Sequence, residues 1–422
     1  MVIVTLAHHI DLTWMYEAYR QTRKDGAAGI DEVTAAEYAE DLDGNLRSLL
    51  ERFKSGTYFA PPVRRVQIPK GDGSRTRPIG IPTFEDKVLQ RAVLMVLEAV
   101  YEQDFYDLSY GFRPNRSAHQ ALDSLRNRLM EVHGGWVLEA DISSFFDTLD
   151  HKILRGFLDQ RVRDGVIRKM IDKWLKAGVL EDGQLRRTEG GTPQGGVISP
   201  LLANIYLHEV LDRWFVEQVL PRMRGPAHLI RYADDFVIVF ADESDALRVM
   251  EVLPKRFGKY GLALHPEKTQ LIDYRRPPGP GKGGGDGKPP TFDFLGFTHY
   301  WGRSRKGRPI VKRKTAQGRF TRSLMRVALW CKRHRHKPIA DQQRYLSAVL
   351  LGHYSYYGLT GNGLALGTFR HQLVRIWHYW LRRRSQRRRL TWDRFARLLN
   401  RCPLPPPKVI HSIYRHAANP CA

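Results

Sequence analysis

The sequence predicts an α+β protein in which short strands joined by tight turns form antiparallel sheets, and amphipathic helices cover them. Two observations support this. Short runs rich in β-branched and aromatic residues are joined in pairs by turn-forming residues, which is the pattern of hairpins. Between these runs, apolar residues recur at helical spacing. The chain has 422 residues, enough for two or three domains.

The first half of the chain alternates helical and strand patterns. Residues 10–50 predict two helices, which the loop KDGAAGID separates. VRRVQIP and RPIGIP predict two strands of a hairpin, because the intervening KGDGSRT has turn composition. A helix is expected from Phe84 to about Tyr101, and another from the N-cap Ser117 to about Met130.

The second half begins with strand patterns and ends with helical ones. WVLEADISSFFD starts as a strand, and LIRYADDFVIVF predicts two strands around an acidic turn. GTPQGGVISP is a loop that leads into a helix, with Ser199 as the expected N-cap and Pro200 as the first helical residue. FDFLGFTHYW predicts a further strand after a low-complexity loop at 275–290, and basic helical segments follow from about residue 315.

The positive charge of the chain is concentrated towards its C-terminal end. The net charge is +24, and residues 301–422 contain 28 lysines and arginines against two acids, Asp341 and Asp393. The remaining residues are therefore close to neutral. Such an excess predicts a polyanionic partner, most commonly nucleic acid, because it attracts phosphate groups. A solubilising surface is the alternative.

Several other classes of protein do not fit the sequence. It contains no run of about 18 apolar residues, so no membrane-spanning helix is expected. The start MVIVTLAHHIDL lacks the basic region and the apolar core of a secretory signal. Cys331, Cys402 and Cys421 are odd in number and widely spaced, which favours neither a disulfide framework nor a zinc site. The expected location is the cytoplasm, and the oligomeric state is unknown.

Two segments place carboxylates at the ends of apolar strands. Asp234 and Asp235 lie between apolar stretches in RYADDFVIVF, and Asp141 ends the apolar strand WVLEA. If these strands pair, Asp141 and Asp234 converge. Carboxylates and phosphate oxygens suit Mg²⁺, and two such ions can activate a 3′-hydroxyl and stabilise a leaving pyrophosphate. An Asp-Asp turn that only satisfies local backbone donors is the alternative interpretation.

Other residues fit a nucleotide-binding site around these acids. Lys70 and Arg77 flank a turn, so a hairpin can bring both cations to a triphosphate. Phe146 closely follows the first carboxylate strand, and a ring there can exclude a sugar 2′-hydroxyl. The glycines after Gln194 allow a nucleotide to approach the backbone, and Lys268 can protonate the leaving pyrophosphate. Taken singly, Lys70 and Arg77 are more typical of a solvated hairpin, and Phe146 of a core ring. The loop at Gln194 is weak evidence by itself, and Lys268 fits a surface lysine equally well.

Taken together, the segments resemble the reverse transcriptase family, specifically the proteins encoded by bacterial group II introns. The ordered motifs that carry the resemblance are KDGAAGID, IPKGDGSRTRPIGIPTFEDKVLQRAV, SYGFRPNRSAHQAL, EADISSFFDTLDH, GTPQGGVISPLLANIYLHEVLD, RYADDFVIVF, GLALHPEKTQ, FDFLGF and GHYSYYG. The resemblance implies a right-hand polymerase, with fingers, a palm that contains an antiparallel sheet, and a helical thumb.

The resemblance also implies a division of the chain. An N-terminal extension is expected at 1–49, and fingers and palm at 50–299. A basic thumb or maturase region follows at 300–400. A short C-terminal tail is expected at 401–422, without the HNH endonuclease into which many relatives continue.

The resemblance assigns a role to individual residues. Asp141, Asp234 and Asp235 match the catalytic carboxylates, which hold two Mg²⁺ ions together with the backbone carbonyl of Ile142. The other matches are Lys70 and Arg77 as triphosphate binders, Phe146 as the sugar gate, Gln194 as a contact near the incoming nucleotide, Lys268 as a candidate general acid, and Phe294, Leu295 and Gly296 as the primer grip.

The function implied is a magnesium-dependent RNA-directed DNA polymerase that also binds its intron RNA as a splicing maturase and supports retromobility. Its partners would be the intron RNA, an RNA template, a DNA primer and deoxynucleoside triphosphates, in the bacterial cytoplasm and at the nucleoid when it acts on DNA. The basic C-terminal region mixes arginines with aromatic residues, which suits RNA. The arginines expected to contact RNA are Arg382, Arg383, Arg384, Arg387, Arg388 and Arg389.

Two alternatives stay open. The first is an intron-free reverse transcriptase that serves defence or repair, which would keep every catalytic residue. The second is an RNA-binding maturase that only supports splicing and has lost polymerase activity; the intact carboxylates argue against it. If the aromatic residues of the basic region form only the core of a thumb, the arginines would merely hold a duplex.

Overall fold

A computed structural model describes residues 1–69, 76–181, 184–186, 195–277, 289–384 and 390–412. The chain divides into two compact units, Met1–Arg275 and Arg276–Ala422. Each unit has its own hydrophobic core.

Among its described residues, the first unit combines ten α-helices with nine strands. The helices are α1 (Leu12–Gln21), α2 (Ala35–Ala39), α3 (Leu42–Ser55), α4 (Phe84–Tyr101), α5 (Ala118–Glu131), α6 (Phe145–Thr148), α7 (His151–Asp159), α8 (Gly165–Lys176), α9 (Ser199–Leu207) and α10 (Glu243–Gly258). The strands are β1 (Val63–Pro69), β2 (Thr76–Ile81), β3 (Trp136–Ser143), β4 (Val179–Glu181), β5 (Gln184–Arg186), β6 (Ala227–Tyr232), β7 (Asp235–Phe240), β8 (Ala263–Leu264) and β9 (Gln270–Asp273). These bounds confirm the helices and hairpins expected from the sequence, except that residues 10–50 contain three helices instead of two, the additional one being α2.

Strand β3 is the centre of a five-stranded antiparallel sheet. It pairs on one side with β7, which pairs with β6, and on the other side with β9 and β8. Residues 236–240 of β7 are all buried. A strand with such a continuous apolar run must be covered on both faces, and its two neighbours satisfy its backbone groups. The sheet therefore gives rigid support to whatever lies at the β6–β7 turn.

The second sheet of this unit has the order β2-β1-β4-β5. Strands β1 and β2 form the hairpin expected from VRRVQIP and RPIGIP, and β1 also pairs with β4 in parallel. Helix α4 contributes the buried residues Val88, Leu89, Val93 and Leu97 to the main core, as its apolar spacing predicts.

Two helix starts test the capping rules. Ser117 accepts a hydrogen bond from the Gln120 N–H at 3.2 Å and is the N-cap of α5, as expected. The expectation for Ser199 was wrong by one residue, because Ile198 occupies the N-cap position of α9. Ile198 already has helical backbone angles, and its N–H donates to Gln90 Oε1 at 3.3 Å. Wider helical turns at His208–Asp212 and Phe215–Val219 continue the chain beyond α9.

Among its described residues, the second unit contains four α-helices and a three-stranded antiparallel sheet. Its elements are β10 (Phe292–Phe294), β11 (Phe297–Arg303), β12 (Pro309–Thr315), α11 (Gln317–His334), α12 (Ile339–Tyr357), α13 (Gly363–Leu381) and α14 (Trp392–Arg401). Trp377 is fully buried in its core and donates to Gln342 Oε1 at 3.0 Å. The described helices of both units include none with the length and apolarity that crossing a bilayer requires. The α+β class with antiparallel sheets is confirmed.

Candidate active site

The strands that carry the acidic residues lie side by side. In the antiparallel register of β3 and β7, Asp141 lies directly opposite Asp235. Asp234 occupies the turn between β6 and β7. Directly opposed residues project from the same face of a sheet, so Asp141 and Asp235 face the same side. The expected pairing of the strands is confirmed, and its register brings Asp141 opposite Asp235, with Asp234 one residue earlier in the turn.

A loop from elsewhere in the first unit holds the acidic turn. Ala233 has a left-handed backbone conformation, with φ 57°. A Cβ atom on Gly111 would approach the Ala233 backbone nitrogen to 2.3 Å, so this close packing requires glycine. The Tyr110 N–H donates to the Arg231 carbonyl at 2.9 Å, and the Arg231 N–H donates to the Leu108 carbonyl at 2.9 Å. The β6 side of the turn is therefore held by this loop.

A buried arginine anchors the same turn. Arg231 is fully buried and donates to both carboxylate oxygens of Asp212, with Nε–Oδ1 2.7 Å and Nη2–Oδ2 2.5 Å. Its Nη1 donates to the Ala233 carbonyl at 3.1 Å and to Asn204 Oδ1 at 3.0 Å. Burial alone would raise the pKa of Asp212, but Arg231 and His208 together hold it below its ordinary value. The ion pair thus fixes the backbone one residue before Asp234.

Lys268 contacts the first carboxylate directly. Its ammonium group forms an ion pair with Asp141 Oδ2, and the His265 N–H donates to the Asp141 carbonyl at 2.8 Å. Both residues lie in the segment between β8 and β9, the two strands that pair with β3. An ion pair this exposed adds little stability, so its main consequence is a cation placed at Asp141. The role of Lys268 as a general acid stays a prediction.

Two more predicted residues follow Asp141 in the chain. Ile142 is buried and lies opposite Leu264 in the β3–β8 pair. Ser144 has a left-handed backbone, with φ 47°, which ends β3 and starts the short helix α6. The ring of Phe146 on α6 is half-buried and lies 5.3 Å from the Phe145 ring, in an edge-to-face arrangement. Its role as sugar gate stays a prediction.

Part of the predicted nucleotide-binding set is not described. Lys70 and Gln194 lie outside the described residues. The backbone of Arg77 lies in β2 opposite Ile68, and its side chain is not among those described.

The predicted primer-grip residues belong to the second unit. Phe294 is buried at the end of β10, and Leu295 and Gly296 form the turn to β11 with φ 48° and 78°. The Leu295 carbonyl accepts a hydrogen bond from the Tyr356 hydroxyl at 2.9 Å. The single strand expected from FDFLGFTHYW is therefore a hairpin, and its contact with a primer stays a prediction.

The predicted RNA-binding arginines begin at the end of α13. Arg382, Arg383 and Arg384 are exposed. The Arg383 guanidinium lies 4.1 Å from the Tyr379 ring centroid, and Arg384 Nη2 donates to the His336 carbonyl at 3.0 Å. The other three predicted arginines, Arg387, Arg388 and Arg389, lie outside the described residues.

The three acids offer oxygen donors of the kind that Mg²⁺ prefers. Asp235 is exposed, and Asp141 and Asp234 are half-buried, so solvent reaches all three. Lys268 already pairs with Asp141, which shows that this carboxylate attracts a cation. Within the described ranges, no group of three or more His, Cys, Asp or Glu side chains is close enough together to hold a metal ion. The donor chemistry fits magnesium, and the set of ligands stays a hypothesis.

The sequence interpretation missed the residues that hold the acidic turn. Arg231 does carry a signal, since a charged residue in an otherwise apolar strand needs a buried partner. Its partners Asp212 and Asn204 come from a helical segment well before β6, and no spacing rule connects them to it. Gly111 lies within SYGFRPNRSAHQAL, and nothing in that segment indicates its contact with Ala233.

Comparison with known proteins supplies a family for this site. Residues 68–299 match the family model described as reverse transcriptase (RNA-dependent DNA polymerase). The chain is 38% identical over 276 residues to the group II intron-encoded protein LtrA of Lactococcus lactis subsp. cremoris, covering 62% of this chain and 45% of LtrA. It is 39% identical over 292 residues to protein YkfC of Escherichia coli strain K12, covering 61% of this chain and 76% of YkfC.

A solved structure was also matched: telomerase from Candida albicans in complex with a TWJ fragment of telomeric RNA. The TM-score is 0.47 at 14% identity, over 87% of this chain and 65% of that chain. The match to LtrA spans less than half of LtrA's length.

Proposed function

The chain belongs to the reverse transcriptase (RNA-dependent DNA polymerase) family, and on this premise we propose that it extends a DNA primer on an RNA template. One observation carries the proposal. Asp141 lies opposite Asp235 on paired strands, with Asp234 in the adjoining turn, all within the matched residues 68–299. This is where a polymerase of the family needs its carboxylates, at the end of a rigid sheet.

The residues divide the chemistry among them. Asp141, Asp234 and Asp235, with the carbonyl of Ile142, would hold Mg²⁺. Two such ions, when bound, supply activation of the primer 3′-hydroxyl and charge stabilisation at the pyrophosphate. Lys268, already beside Asp141, holds a proton at Nζ that the departing pyrophosphate oxygen can accept.

The nucleotide is bound by a second group of residues. Lys70 and Arg77 neutralise its triphosphate, and Gln194 contacts it near the base pair. Phe146, close to Asp141 in the chain, excludes a 2′-hydroxyl and so favours deoxynucleotides. The likeness to LtrA, named as a group II intron-encoded protein, supports the same bacterial intron setting for this chain.

We infer that the second unit binds intron RNA as a maturase does, which would support splicing and retromobility. Residues 301–422 carry 28 basic residues against two acids. The exposed Arg383 lies over the Tyr379 ring, a pairing that suits a phosphate and a stacked base side by side. On this proposal the partners of the protein are the intron RNA, the RNA template, the DNA primer and deoxynucleoside triphosphates, and it acts in the bacterial cytoplasm.

Polymerase activity is tested by extension of a labelled DNA primer on an RNA template. Asp141→Asn should lower the rate of primer extension roughly hundredfold or more, because it removes the negative charge of the carboxylate beside the reacting groups. The matched control is Glu139→Gln, two residues earlier on the same face of β3, whose carboxylate accepts from Gln270 at 3.0 Å. Near-normal extension by Asp141→Asn, or an equal loss in Glu139→Gln, would contradict the assignment.

Intron binding is tested separately. Replacing Arg382, Arg383, Arg384 and Arg387 by glutamine should weaken intron RNA binding and flatten its slope against log salt by up to about three to four units. Extension of a short preformed primer–template should fall less. If RNA affinity and slope stay the same, the cluster is a solvated surface. Flanking DNA that does not fold as an intron would instead favour the intron-free alternative.

A further inference from the structure

An exposed phenylalanine next to the acidic turn has an unfavourable backbone conformation. Phe112 has φ 56° and its side chain is 58% exposed. The left-handed region is disfavoured for a bulky residue, and an exposed ring gains little from the hydrophobic effect. Neither backbone preference nor core packing therefore explains phenylalanine at this position.

The neighbours of Phe112 fix its backbone. The Gly111 carbonyl accepts a hydrogen bond from Asn204 Nδ2 at 2.7 Å. Arg113 is buried, pairs with Glu102, and donates to the Ser109 carbonyl at 2.8 Å. A strained conformation persists only where surrounding contacts impose it, and such strain is concentrated at functional sites. The backbone at Phe112 is thus held by contacts that do not involve the ring.

The ring lies beside the predicted reaction centre. Its centroid is 6.4 Å from the centroid of the Tyr232 ring, at an interplanar angle of 40°. Tyr232 precedes the acidic turn and lies opposite Asp235 in the β6–β7 pair. Successive nucleotides are about 3.4 Å apart along a strand, so Phe112 lies within about two nucleotide spacings of Tyr232.

We propose that Phe112, together with Tyr232, binds the 3′-terminal nucleotides of the primer strand. This rests on the proposed function, because that function brings the primer 3′-hydroxyl to the acids next to these rings. Aromatic rings bind nucleotides by stacking without regard to base identity, as a polymerase that copies any sequence requires. A primer end stacked on this ring is aligned with the carboxylates before the nucleotide arrives.

The experiment exploits the backbone conformation. Phe112→Asn removes the ring, and asparagine tolerates φ near 56°, so the melting temperature should stay the same or rise. The KM for primer–template should rise roughly five- to hundredfold, the range expected for loss of one stacked base, while the KM for nucleotide changes less than about twofold. Phe112→Trp should restore most of the affinity. The control Leu247→Ala, at an apolar side chain on α10 with 52% exposure, should change neither constant.

The strand is identified by cross-linking. A photoreactive benzoylphenylalanine at position 112 should cross-link to a labelled primer in a non-reacting primer–template complex. Cross-linking only to the template, or only to protein, would overturn the assignment, as would an unchanged KM for primer–template in a stable Phe112→Asn protein. If the wild type binds the duplex but does not extend it, the proposed function fails. The cross-link from position 112 and the duplex affinity of Phe112→Asn still decide whether Phe112 binds the primer.

Discussion

The buried pair Arg231–Asp212 should be essential both to stability and to the position of the acidic turn. Arg231→Met leaves the Asp212 carboxylate fully buried, with the His208 Nδ1 atom 3.8 Å from Asp212 Oδ2. Breaking a buried ion pair from one side costs about 3–5 kcal/mol, because the other charge stays desolvated. An exposed pair such as Arg128–Glu131 on α5 is worth about 0–1 kcal/mol, so Arg128→Met is the control.

The double variant Arg231→Met/Asp212→Leu separates the two effects. Replacing both charges by apolar side chains is often close to neutral, so most of the lost stability should return. The bond from Arg231 Nη1 to the Ala233 carbonyl does not return, so primer extension should stay low. Denaturant unfolding gives the free energy of unfolding, and primer extension of the folded proteins gives the activity.

Two results would refute this reasoning. If Arg231→Met lowers the free energy of unfolding by less than about 1 kcal/mol, the remaining Asp212 carboxylate is not the uncompensated buried charge that full burial of the pair implies. If the double variant regains extension along with stability, the network supports the fold but does not position the turn that carries Asp234.

Other changes test the remaining assignments. Phe146→Ala should increase ribonucleotide incorporation relative to deoxyribonucleotide, and unchanged discrimination would move the sugar gate elsewhere. Lys70→Ala and Arg77→Ala should mainly raise the KM for nucleotide, because their charges bind the triphosphate in ground and transition states alike; weakened template binding with an unchanged KM would make the hairpin a template clamp. Burial, and to a smaller extent the charge of the nearby Arg313, lowers the pKa of His299 to about 3. Histidine in the unfolded chain has a pKa near 6.5, so between that pH and about pH 3 only the unfolded state takes up the proton. The free energy of unfolding is therefore highest above pH 6.5 and falls on acidification by about 1.4 kcal/mol per pH unit. His299→Phe should remove this part of the slope between about pH 4 and 6, and an identical slope in both proteins would contradict it.

The chain's local patterns predicted most strands and helices because each depends on neighbouring residues. The β6–β7 hairpin follows from apolar runs around a short polar turn, and α4 from its apolar spacing. The hairpin in FDFLGFTHYW does not follow from its local pattern, because its turn requires a positive φ at Leu295, which a leucine side chain disfavours. Its carbonyl is held by Tyr356, a contact that lies far along the chain.

Long-range contacts explain what the sequence could not predict in the site. The position of Arg231 in a strand indicates a buried partner, but only the fold identifies Asp212 and Asn204. Likewise, Ser199 has the composition of an N-cap, but the helix begins at Ser199 itself, and the preceding Ile198 is held by Gln90 of α4, a contact that the sequence does not indicate. The resemblance to group II intron reverse transcriptases is confirmed by the family match. The domain limits predicted at 49, 299 and 400 stay predictions.

The most direct test of the central claim is primer extension on an RNA template while Mg²⁺ is titrated, with wild type, Asp234→Asn and Asp235→Asn side by side. Wild-type extension should require Mg²⁺ and stop in chelator, and both variants should be roughly hundredfold slower or worse at saturating Mg²⁺. RNA affinity, measured in the same proteins, should change little, since the substitutions leave the basic region intact. Extension that persists in chelator, or that proceeds near the wild-type rate in Asp234→Asn, would contradict the account.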